Sequence, residues 1–227
     1  MQLLKSPDES PVYQGQFGEF TITQSDRTGV IIYRTGLGVA AACFAIGTTL
    51  VLQQGDNPIA IQAITPIFAC FWIALGISLA TIHIYMIALH RLLQLFWAIG
   101  GAAALFVAIQ STEPLALAVY EHPATMWGIG FLFAALNGIY FKEAFCFNRL
   151  ETKFLTPGVP LLILGHICGF LALENKQLLI AAWAVLFIIF AARKFFQPIP
   201  QDIGDKSVFQ YIEEGRRKKE EGRREME

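Results

Sequence analysis

The chain has 227 residues, of which 55% are hydrophobic and only 15% charged, and its net charge is −1. Soluble domains carry about 25% charged residues, so this composition excludes an ordinary soluble domain. The near-zero net charge gives no electrostatic case for nucleic acid.

The first 29 residues are a polar segment. They lack a continuous apolar core, so no signal peptide is expected there. Within this segment "VYQGQFGEFTIT" is read as a short paired strand or a stretch lying on the membrane surface, outside the bilayer in either case. Residues 30–196 then hold six apolar runs. A hydrocarbon layer about 30 Å thick needs ~20 helical residues. The runs are Val30–Leu52, a second from near Ile59 to Thr81, Leu92–Ile109, Ala124–Phe141, a fifth from about Val159 to Leu173, and a sixth from about Gln177 to Ala192. Pro58, Pro114, Pro123, Pro157 and Pro160 stand near starts, where a missing N–H costs little. Residues 197–227 form a charged tail with both signs, expected to be helical, its end read as a solvated helix or a disordered tail. The expected fold is all-α: a polytopic bundle of six transmembrane helices.

Basic residues set the orientation. Lys5, Arg27, Arg34, Arg91, Lys142, Arg149, Lys153, Arg193 and Lys194 cluster on one side of this topology. The loops "QQGDNP" and "QSTEPLALAVYEHP" carry no Lys or Arg, and "ENK" carries only Lys176. Both termini are therefore expected on the cytoplasmic or stromal face. One connection is awkward, because "TIHIYMIALHRLLQLFWAIG" has no Gly or Pro between His83 and Ile99. A straight helix from Pro66 to Ile109 would be about 66 Å long, roughly twice the hydrocarbon layer. Residues 83–94 are expected to lie along the interface. The alternative is a long tilted second span with a sharp turn at His90–Arg91.

Helices in lipid associate through close backbone approach. Gly130, Ala134 and Gly138, "GGAAA" at 100–104 and "GLGVAAA" at 36–42 are read as such packing faces, with a groove for pigment or lipid as the sharper alternative. Asn137, beside the first stripe, is expected to hydrogen-bond a neighbouring helix.

Chemistry is sparse. No Asp or Glu lies deep in a run, which argues against an ion-coupled carrier. No GxGD or HExxH motif occurs, and Ser78 with His166 has only residue type to suggest a dyad. No catalytic residue and no metal site are assigned. The chain is expected not to be an enzyme. Cys43, Cys70, Cys146 and Cys168 form no CxxC pair and are read as buried thiols. His83 and His166 are the candidate cofactor ligands. If their depths match, two neutral imidazoles would suit a haem iron or chlorophyll magnesiums. The alternative is one hydrogen bond each to a carbonyl.

The densest stretch is "FKEAFCFNRLETKF", residues 141–154. Tyr140 before it is read as an interfacial anchor, and Glu143 as the partner of Lys142, Arg149 or a basic residue of another segment. Cys146 would be buried between Phe145 and Phe147. Lys142, Glu143, Phe145, Phe147 and Arg149 are the candidate interaction residues. The six runs with "NGIYFKEAFCFNRLETKFLTP", most specifically "FKEAFCF" at 141–147, resemble an uncharacterised integral-membrane family of cyanobacteria and plastids, a domain of unknown function. The resemblance spans about Arg27 to Ile199. It implies a thylakoid or plasma membrane of a cyanobacterium and an auxiliary role beside photosystem or pigment–protein complexes. A non-enzymatic factor assisting their assembly or stability is the leading expectation. A haem or chlorophyll binder and a small-solute or ion carrier are the alternatives.

Overall fold

The structure, a computed structural model, describes residues 11–84 and 86–224, so the expectation for residues 1–10, Lys5 among them, lies outside the described residues. A hairpin comes first. β1 (Val12–Gln14) and β2 (Glu19–Thr21) pair antiparallel, with Tyr13 opposite Phe20. Thr23 then caps α1 (Gln24–Gln54) in a reciprocal capping box with Asp26. α2 (Pro58–Thr81) starts behind an Asn57 cap, with Pro58 in its first turn. α3 (Ile87–Gln110), the short α4 (Leu115–Glu121) and a single 3-10 turn lead to α5 (Met126–Phe147). Asn148 ends α5 in the left-handed conformation, with φ 52°. α6 (Leu150–Ile167), α7 (Leu173–Phe196), α8 (Ile199–Ile203) and α9 (Ser207–Arg224) follow.

Among the described residues five helices are long and apolar enough to cross a membrane: α1, α2, α3, α5 with its preceding turn, and α7. α6 packs against α5 and α7 but opens on Glu151 and Lys153. It also departs from the expected fifth run, beginning at Leu150 instead of near Val159. Pro157 and Pro160 therefore sit inside the helix. Pro160 has no N–H to give the Thr156 carbonyl four residues back. Asn137 of α5 supplies the missing donor, with Nδ2 at 3.1 Å from that oxygen. Pro160 is tolerated because a neighbouring helix completes the bonding.

The 83–94 connection takes neither expected path. The chain leaves helix after Thr81 and re-enters it at Ile87. His90 then reaches back, with Nε2 2.6 Å from the Leu79 carbonyl, and Gln94 Nε2 lies 3.5 Å from the same oxygen. These side chains serve a carbonyl that the end of α2 leaves free.

Small residues set the crossings. At Gly36 an added Cβ would lie 2.8 Å from the Ala74 carbonyl oxygen, and beside it Ser78 Oγ donates to the Tyr33 carbonyl at 2.6 Å. Gly76 and Gly101 make room for Trp97 and Trp72. Those indoles stack at 4.9 Å between centroids and each donates to the other's carbonyl. The stripe on α5 is only partly a packing face. Gly138 lies under Leu93 and Gly130 near Ile163, but Ala134 is exposed in a groove between α5 and α6. At Gly100 an added Cβ would fall 2.3 Å from the Leu132 backbone nitrogen, where little can yield. Gly100→Ala should therefore cost about 1–3 kcal/mol by overpacking. Ala134→Leu should stay within about 0.5 kcal/mol. Thermal unfolding in detergent compares them, and equal losses would refute this account of the two positions.

The helices alternate in direction. The starts of α1, α3 and α6 and the ends of α2, α5 and α7 gather at one end, here called the charged end. The hairpin, α8 and α9 pack there. Gln16 N–H donates to Asp205 at 2.6 Å, Phe17 N–H donates to Ser207 Oγ at 3.0 Å, and Phe17 stacks on Tyr211. The Gln16 amide, with help from Ser207, holds the Asp205 carboxyl below its ordinary range.

Candidate functional site: a buried charge network

Ionisable side chains meet inside the charged end. Lys194, near the end of α7, is 2% exposed. Its ammonium bonds Glu143 Oε2 of α5 at 3.0 Å and also bonds Asp202 Oδ1 of α8. It lies over the rings of Phe147, at 5.0 Å from the centroid, and Tyr33, at 5.6 Å. Asp202 is the hub. Its Oδ2 accepts from Arg34 Nε at 2.7 Å and Nη2 at 2.5 Å, and Gln197 Nε2 donates to Oδ1 at 3.1 Å. Arg34 also reaches the Pro198 carbonyl at 3.4 Å. Lys142 closes the set on Glu143 at 3.3 Å. Beside it Arg193 pairs with Glu151 at 2.9 Å.

The helices explain this placement. Pro198 ends α7 and turns the chain beneath the bundle, so the single turn of α8 carries Asp202 back under α1. Arg34 sits nearly three turns into α1 and needs a counter-charge at that depth. The arrangement ties α1, α5, α7 and α8 together through charge-assisted bonds in a place that water does not reach. Neither of the two cavities between the helices is lined by a member of this network, whose geometry holds the four helices together.

Of the expected interaction residues, Lys142 and Glu143 belong to this network, and the basic residue of another segment is Lys194. Arg149 caps α6 and forms no ion pair with Glu143. Phe147 packs under the two lysines. Phe145 is 84% exposed. Cys146 is exposed beside it, not buried between the phenylalanines, because Phe145 points outward with Phe141, its stacking partner. Cys70 and Cys168 are likewise exposed on the bundle surface and Cys43 only partly covered, which corrects the expectation of buried thiols. Tyr140 is fully buried and accepts from Trp183 Nε1 at 3.2 Å, so it is a core residue and not an interfacial anchor.

The two histidines do not meet. His83 follows α2 at the charged end, 3.8 Å from Asp26. Burial pushes its imidazole below the ordinary range while Asp26 pulls the other way, so the neutral form is favoured. His166 ends α6 at the opposite end, with Nε2 3.3 Å from the Val119 carbonyl and Nδ1 3.4 Å from Lys176 Nζ. A helix length of roughly 30 Å separates such positions. The matched depths needed for one shared haem or chlorophyll site are absent. Ser78, bonded to Tyr33 at the charged end, is equally remote from His166. Among the described residues no cluster of His, Cys, Asp or Glu could hold a metal ion.

The reading from sequence missed Asp202, Lys194 and Glu151 as members of a network, and placed Arg34 only at the edge of the first run. One signal was available. An arginine inside an apolar run implies a buried acid elsewhere, and "PIPQDIG" offers one.

No curated protein and no solved structure matches the chain. A family model described as an uncharacterised integral membrane protein (DUF2301) matches residues 77–211, more than half of the chain, and the chain belongs to that family of integral membrane proteins.

Proposed function

We propose that the chain is a non-enzymatic membrane factor that docks another integral membrane protein at its charged end, assisting that protein's assembly or stability. One observation carries this reading. The turn between α5 and α6 exposes Phe145, Cys146, Leu150, Lys153 and Phe154, while Arg149 and Lys153 have no ion-pair partner among the described residues. Apolar side chains interleaved with free cations suit a partner that presents carboxylates at the same membrane level. The charge network gives this turn a stiff base, because Glu143 and Phe147 are anchored on either side of Phe145.

In this reading the chain crosses the membrane six times, with α6 as the fifth span. Arg91, Lys142, Lys153 and Arg193 put the charged end and both termini in the cytoplasm or stroma. This reading keeps 30–196 as the membrane domain, while the start of the 197–227 tail packs into it, with Asp202, Ile203 and Ser207 buried. A photosynthetic membrane of a cyanobacterium or plastid, with photosystem subunits as partners, rests on the resemblance carried by "FKEAFCF" alone. The carrier reading gains buried carboxylates, yet each is paired with a cation and none lines either of the two cavities between the helices.

A variant retaining Cys146 as its single cysteine, labelled with a photocrosslinker in native membranes, should capture a defined membrane protein. Arg149→Glu with Lys153→Glu should abolish that product and leave the melting temperature unchanged. A product that survives the charge reversal would end the docking reading.

A further inference from the structure

The half of the bundle away from the charged end holds a cavity of about 220 Å³ between α1, α2, α4, α5 and α7. Its wall is almost wholly apolar and includes four aromatic rings, Phe44, Phe68, Phe71 and Phe133. Thr48 also lines it and is 5% exposed. A helical threonine ordinarily returns its hydroxyl to the carbonyl four residues back. The adjacent Thr49 does so, donating to Ala45 at 2.8 Å. Thr48 does not, and no group among the described residues bonds its hydroxyl.

That hydroxyl opens onto the cavity, and a hydroxyl facing an apolar wall without a partner is costly. Water is a poor remedy, because an ordered water needs two to four polar partners and this wall offers one. An occupant with an apolar body and a single oxygen satisfies both wall and hydroxyl. The aromatic faces favour a ring. A cavity of about 150 Å³ suffices for benzene, so this one has room for a ring with alkyl substituents. α4 forms the lid, with Val119 in the wall and its carbonyl held by His166.

We propose that this cavity binds a lipid-soluble ring compound carrying one hydroxyl or carbonyl group, which the Thr48 hydroxyl recognises. The site is independent of the docking turn, since it lies at the other end of the bundle.

Thymol and p-cymene test it, because they share a ring and alkyl groups and differ by one hydroxyl. Binding of each is measured by ligand-observed NMR on the full chain in detergent. Thr48→Val should weaken thymol about five-fold, the loss of one net hydrogen bond, and leave p-cymene within about two-fold. Ala116→Phe, which fills the cavity from α4, should abolish both. Equal thymol affinity in the wild type and Thr48→Val would overturn the proposal. So would a parallel loss of p-cymene, binding that survives Ala116→Phe, or no binding of either probe by the wild type.

Discussion

Asp202→Ala should destabilise the bundle by on the order of 3–5 kcal/mol, the usual consequence of removing one partner from a buried charge network. Asp202 accepts from Arg34, Lys194 and Gln197. Without it Arg34 has only the Pro198 carbonyl, and Lys194 keeps Glu143 alone. One buried cation is then left without a carboxylate, and the other shares Glu143 with Lys142. Asp202→Asn should cost less, because the amide oxygen still accepts one bond and fills the same space. The order of melting temperatures should be wild type, then Asn, then Ala. A second readout follows from position. α8 is held beneath α1 through this carboxylate, so proteolysis around Gly204 should accelerate in the alanine variant before the spans unfold. A wild-type melting temperature for Asp202→Ala would mean that the network contributes nothing.

Five long apolar helices were legible because lipid thickness imposes a length of apolar sequence that few other constraints imitate. That signal names the runs without fixing their ends. Pro157 and Pro160 looked like a helix start, and only Asn137, on the preceding helix, makes room for them inside one. The network was opaque for a related reason. Arg34 and Asp202 are 168 residues apart, and Asp202 lies beyond the last span, in a segment whose composition reads as tail. Nothing local says that Pro198 folds it back. Glu143 was legible as a charge needing a partner, since its position at the end of an apolar run requires one. The partner's identity needed the packing of α5 on α7. The thiols and Tyr140 were misjudged because a helix in lipid is apolar all round. Hydrophobicity there marks both the core side and the lipid side, and periodicity cannot separate them. Ala134 failed for the same reason.

Glu143 and Lys194 form one bond at 3.0 Å, yet their removal should have unequal effects. Pairwise reasoning would expect similar losses. Charge counting does not. The network holds three cations, Arg34, Lys142 and Lys194, against two anions, Glu143 and Asp202. Glu143→Gln leaves Arg34 and Lys194 on one carboxylate and Lys142 on none, and a loss of about 3 kcal/mol is expected. Lys194→Met leaves two balanced pairs, Arg34 with Asp202 and Lys142 with Glu143, and also removes an ammonium that was costly to bury. That loss should stay under about 1.5 kcal/mol. The double variant should be more stable than Glu143→Gln alone, because Lys194 is then no longer an unbalanced charge. The cycle is read from melting in detergent together with crosslinking at Cys146. If the network is a base for the docking turn, crosslinking falls in proportion to stability through the series. If Glu143 itself meets the partner, Glu143→Gln loses the crosslink out of proportion and Lys194→Met does not. Should Lys194→Met prove the more damaging of the two, the lysine and not charge balance would be what holds the charged end together.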